Sequence, residues 1–159
     1  MANKLTLGID KVKQYLPHRD PFLFVDEITE VVPGKSVIGK RTVRKDEFFF
    51  KGHFPNFPVF PGALVVETMA QVSAFIVLTM PGNEKLFGLF TGIEHFEFRK
   101  SVYPGDTLII KSNFISFRHG IAKSMGKAYV NGKLVAQGVI SAFFSTREKI
   151  LSKGGLTNA

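Results

Sequence analysis

At 159 residues the chain has the length of one domain, and 45% hydrophobic residues with a mean hydropathy of +0.11 exclude a disordered polymer. The absence of Cys excludes disulfides and thiolate metal sites, and is compatible with a reducing interior. A net charge of +8 comes from basic residues scattered singly or in pairs, with no nucleic-acid-binding motif. That field suits an acidic protein partner, and from charge alone a merely basic surface is as good an account.

Met1 to Leu16 lacks the central apolar run of a secretory signal, so the expectation is a soluble, cytoplasmic chain. Within it Ile9, Val12 and Leu16 fall at helical spacing, predicting a short helix stopped by Pro17. Phe22 to Val32 and Ser36 to Val43 are β-prone runs separated by Pro33-Gly34-Lys35, which reads as a hairpin. Lys45 to Pro61 follows, with three Phe in a row and three Pro, a stiff irregular segment able to aim a side chain.

Ala63 to Met80 is an apolar segment whose one charge is Glu67 and which also contains Thr68, Gln71 and Ser73; it reads as a buried central helix rather than a membrane span. After the breaker Pro81-Gly82 come four strand-like stretches: Leu86 to Phe98, Thr107 to Phe117, Ile121 to Val130 and Lys133 to Ser145. Asn131-Gly132 is the strongest hairpin signal in the chain. Lys149 to Ala159 reads as a frayed polar tail, leaving one domain over residues 1–159.

A helix apolar on nearly all sides must be wrapped, and a curved antiparallel meander of about five or six strands is the simplest wrapper. The predicted class is α+β, in the hot-dog arrangement. Seventeen Phe against three Tyr and no Trp suit a dry core or an apolar pocket.

Glu67 is the residue that demands an explanation. An ionised carboxylate taken out of water unpaired costs several kcal/mol, so it is neutralised, paired or turned to a polar cleft. Its nearest candidate partner in sequence is His53. Acid–base chemistry needs a base, an acid and, where charge builds on an oxygen, a donor to relieve it. Neutral His53 can serve as the base, Glu67 as the acid, and the amide of Gly62, at a helix start, as the donor to a negative oxygen. A variant in which His53 shuttles the proton in both steps, with Glu67 only orienting substrate or water, fits the same residues. Gln71, one turn beyond Glu67, can hydrogen-bond into the site or be a satisfied interior amide. His18 is read as structural, bracing the start of the first strand. His95 is placed on a strand face with Glu97, as a solvent-facing or interface residue, and His119, beside Gly120, at a turn. Four His without clustered spacing argue against a metal site.

The ordered motifs Leu16-Pro17-His18-Arg19-Asp20-Pro21-Phe22, Gly52-His53-Phe54-Pro55, Pro61-Gly62 with Glu67 and Met69-Ala70-Gln71, and Tyr103-Pro104-Gly105-Asp106 resemble the FabZ-type β-hydroxyacyl-acyl-carrier-protein dehydratases. The resemblance covers Ile9 to Ser145. It implies the hot-dog fold, no cofactor, and a homodimer, often three dimers to a hexamer, whose sites each take a His and a Glu from opposite subunits. It implies removal of water from a 3-hydroxyacyl thioester, which needs a base at C2, an acid at the C3 hydroxyl and relief for the carbonyl oxygen, with His53 and Glu67 as the catalytic pair and Gly62 as the carbonyl donor. An acyl carrier protein bearing a phosphopantetheine-linked chain is the implied partner, docking near basic residues for which Arg99 and Lys100 are candidates. Asp20 stands where the family usually has Tyr, Asn56-Phe57 where Gly-Asn is common, and Phe60 and Ala63 replace Met and Val. Two other readings share the fold: a thioesterase or hydratase acting on coenzyme A thioesters, and a non-catalytic acyl-binding module.

Overall fold

A computed structural model describes residues 3–152. The order is β1 (Leu5–Leu7), α1 (Ile9–Tyr15), β2 (Glu27–Val32), β3 (Ser36–Thr42), a 3-10 turn (Phe48–Lys51), α2 (Gly62–Leu78), β4 (Phe87–Phe98), β5 (Thr107–Arg118), β6 (Ile121–Val130), β7 (Lys133–Ser145) and α3 (Arg147–Ser152). One seven-stranded antiparallel sheet, in the order β1-β2-β3-β5-β6-β7-β4, wraps α2. This is the α+β hot-dog arrangement expected from the apolar helix.

The wrapping is visible on α2 itself, where Val65, Val66, Met69, Val72, Phe75 and Ile76 are all buried. The sheet must also let the helix approach. A Cβ built on Gly39 of β3 would lie 2.6 Å from Val72 Cγ2, so only glycine fits beneath that β-branched, fully buried side chain. The turn that follows β2 is tied to the helix as well, through Gly34 N–H donating to the Ile76 carbonyl at 2.9 Å.

Asn131 and Gly132 sit at φ 50° and 75° between the paired Val130 and Lys133, the left-handed pair that a two-residue hairpin needs. His119 and Gly120 make the same turn, at φ 53° and 81°, between Arg118 and Ile121.

Several expectations are corrected. The three-residue β1 is too short to leave a sequence signal. The first hairpin strand begins at Glu27, not Phe22, because Gln71 of α2 captures the backbone ahead of it: Phe24 N–H donates to Gln71 Oε1 at 2.8 Å, and Gln71 Nε2 donates to the Phe22 carbonyl at 3.0 Å. The last four strands are not a simple meander, since β4 lies at the far edge beside β7 while β5 pairs with β3. His95 does not share a regular strand face with Glu97. The pairing slips between Glu94 and Glu97, and His95 takes φ 51° in the resulting bulge, although it is exposed as expected. Of the segment read as a tail, Lys149–Ser152 belong to α3, and 153–159 lie outside the described residues.

Candidate active site

The loop that carries His53 is anchored before it is aimed. Phe49 meets Phe50 and Phe60 with ring centroids 4.6 and 5.3 Å apart, and Phe60 packs on Phe24. Behind them Arg41, almost fully buried, pairs with Glu47 and stacks its guanidinium over Phe24 at 5.0 Å. This apolar and ionic base fixes the 3-10 turn. From it His53 N–H donates to the Phe49 carbonyl at 3.0 Å, and Val59 N–H donates back to the His53 carbonyl at 2.9 Å.

The ring is aimed by one further bond. His53 Nδ1 lies 2.8 Å from the Val59 carbonyl, which can only accept, so Nδ1 carries the proton. In the neutral ring Nε2 then holds the free lone pair. The ring also stacks on Phe54, with centroids 4.1 Å apart.

His53 and Gly62 border one cavity, closed by Val65, Phe98 and Val102 and rimmed by Arg99 and Lys100. Gly62 opens α2 after Pro61, so its N–H has no carbonyl of its own helix to reach and is free to bind a negative oxygen. A Cβ here would lie 3.1 Å from Phe98 Cε1, at the wall of the cavity.

Glu67 lies elsewhere. The side chain is 17% exposed and borders a second cavity, lined also by His18 and Gln71 and by the apolar Ala70, Ala74, Leu78, Phe90 and Phe144. Gln71 Nε2 donates to Glu67 Oε1 at 2.8 Å, so the amide is satisfied and lines the same cavity as the carboxyl. Glu67 lies more than one turn beyond Gly62, from which the sequence suggests that both border one cavity near the helix start of a single subunit; the structure corrects that expectation. Five residues of α-helix turn about 500°, which leaves the two about 140° apart around the axis.

His18 also departs from its structural reading. Nε2 lies 3.5 Å from Glu67 Oε1, while Nδ1 is buried with no hydrogen-bond partner among the described residues. No local pattern could have joined residues so far apart in sequence; the only signal was His18's presence in the first family motif.

Arg99 is not a free cation, because it pairs with Glu97 at 2.9 Å. Hydrogen bonds from Gln137 and from Arg99, with the guanidinium charge, hold the Glu97 carboxyl below the usual carboxylate range. Among the described residues no group of three or more His, Asp and Glu is placed to hold a metal ion, and no helix is long and apolar enough to cross a membrane.

The fold places the chain with hot-dog proteins of known structure. A dehydratase heterocomplex from Xenorhabdus doucetiae superposes with a TM-score of 0.70 at 18% identity, covering 89% of this chain and 95% of that one. Zebra fish thioesterase superfamily member 2 does so with a TM-score of 0.64 at 17% identity, covering 87% and 99%. At such identity both speak for the fold alone. Sequence goes further. A FabA-like domain matches residues 16–139. The 3-hydroxyacyl-acyl-carrier-protein dehydratase FabZ of Desulforamulus reducens is 49% identical over 131 residues, 82% of this chain and 92% of its own. That of Nitratidesulfovibrio vulgaris is 46% identical over 145 residues, 89% and 94%. The chain belongs to the FabZ family of dehydratases.

Proposed function

We propose that the protein removes water from (3R)-3-hydroxyacyl chains carried on acyl carrier protein, giving the trans-2-enoyl thioester for fatty acid synthesis in the cytoplasm. The observation that supports this most is the hydrogen bond from His53 Nδ1 to Val59, which leaves Nε2 as a base in the cavity that Gly62 borders. Nε2 takes the C2 proton. The Gly62 N–H, at the positive end of α2, receives the charge that builds on the thioester oxygen. The C3–O bond then breaks, and the departing hydroxyl takes a proton from Glu67 and leaves as water.

Because His53 and Glu67 of one chain border different cavities, the reading requires a homodimer in which each site joins the His53 cavity of one subunit to the Glu67 cavity of the other. The apolar cavity beside Glu67 would take the acyl chain. Three such dimers would make the hexamer common in the family.

Purified protein supplied with a short 3-hydroxyacyl carrier substrate is expected to build up the enoyl product, followed by absorbance and mass. Release of free carrier thiol instead would move the assignment to a thioesterase, and binding without turnover to an acyl-binding module.

Carrier docking is assigned to Lys100 with Arg99 at the rim of the His53 cavity. Lys100 is the better probe, since Arg99 already serves Glu97. Lys100→Glu is expected to raise KM for the carrier-bound substrate about 10-fold at low salt, with the gap closing as salt rises, and to leave a pantetheine-bound substrate unaffected. An equal change with both substrates would count against docking there.

A further inference from the structure

The cavity beside Glu67 holds two ionisable side chains, Glu67 and His18, and its other lining residues are apolar or carry the Gln71 amide. Inside it the two Glu67 oxygens are treated differently. Oε1 accepts from Gln71 Nε2 at 2.8 Å and faces His18 Nε2 at 3.5 Å, whereas Oε2 has no partner among the described residues.

The state of the His18 ring follows from its other nitrogen. A neutral imidazole has one N–H. On Nδ1 that proton would be buried with no acceptor, a loss comparable to an unmade hydrogen bond; on Nε2 it points at Glu67 Oε1. The separation is long for a finished bond, as catalytic contacts often are before substrate tightens them. Gln71 cannot do the whole task, because its other contacts, to Phe22 and Phe24, bind it to the loop and not to the cavity.

We infer that His18 is the positioning residue for Glu67: with Gln71 it occupies Oε1 by donation, so that a protonated Glu67 carries its proton on Oε2, the oxygen left to meet the substrate hydroxyl. A carboxylic acid has one accepting and one donating oxygen. Two donors on Oε1 make it the accepting one and remove the rotamer in which the proton turns away from the reaction. The inference rests on the dehydratase reading for its consequence in turnover, and on the ring geometry alone for the contact.

Three substitutions separate this from a packing role. His18→Phe keeps a ring of similar size and removes the donor. His18→Gln can return an amide N–H near the place of Nε2, and His18→Asn puts it near Nδ1. The phenylalanine and asparagine variants are expected to fold and to lose about 10- to 100-fold in kcat with KM little changed, the scale of a mispositioned catalytic group, and the glutamine variant to recover most of the loss. Nitrogen-15 NMR of the neutral His18 ring in wild type is expected to find the proton on Nε2. A proton on Nδ1, or a phenylalanine variant with wild-type kcat, overturns the inference. Should wild type itself not turn over, the dehydratase reading falls, and the ring signals decide alone: a shift of the Nε2 resonance in Glu67→Ala upholds the contact, and an unmoved resonance overturns it.

Discussion

Replacing His53 by asparagine is expected to lower kcat by about 10³-fold while leaving the protein folded, the scale of a lost general base. Asparagine is the informative choice. Its side-chain amide can take over the donation that Nδ1 now makes to the Val59 carbonyl, so the loop keeps its aim. Nothing then stands where Nε2 would accept the C2 proton. His53→Ala removes both functions and is expected to lose as much in turnover and, in addition, about 1 kcal/mol of stability from the vacated carbonyl. Steady-state kinetics beside thermal unfolding of the two variants checks this. An asparagine variant of near wild-type kcat would remove His53 from the chemistry and leave it a loop anchor, which is what a His between Gly and Phe usually is. Glu67→Gln in the same assay separates the two roles left open for the carboxyl. An amide can still orient water or substrate but has no acid proton to give, so near wild-type turnover would sink the acid role.

The parts of this molecule that could be read from the sequence are those encoded locally. Asn131-Gly132 and His119-Gly120 specify their turns through backbone freedom held within two residues, and both turns are present. Glu67 stood out because a charge in an apolar helix is costly wherever the helix goes. What escaped was set by contacts across long sequence separations. Gln71 takes Phe24 out of the strand by bonding its N–H, a competition between a side chain and the sheet that β-propensity does not register. The position of β4 beside β7 depends on how the sheet closes around α2, and each of the last four strands reads alike taken singly. The separation of Gly62 from Glu67 is a different case. It follows from the helix period, and counting about 100° per residue would have placed the two on different faces.

That separation leads to the second large effect. If one site takes His53 from one subunit and Glu67 from the other, a dimer of one His53→Asn chain and one Glu67→Gln chain has one site with both lesions and one with neither. The two variants, each inactive alone, are expected to recover about a quarter of wild-type activity when co-expressed in equal amounts, because half of random dimers are mixed and each of those holds one intact site of two. Mixing the separately purified homodimers should give nothing until subunits exchange, so recovery that grows with incubation time would identify exchange as its cause. Two tags on the two chains allow the mixed dimer to be isolated, where activity near half of wild type per dimer is expected. An inactive mixed dimer of proven composition would mean that His53 and Glu67 act within one chain. That would require the wall between their cavities, built on α2 from Gly62 to Gln71, to move in the working enzyme.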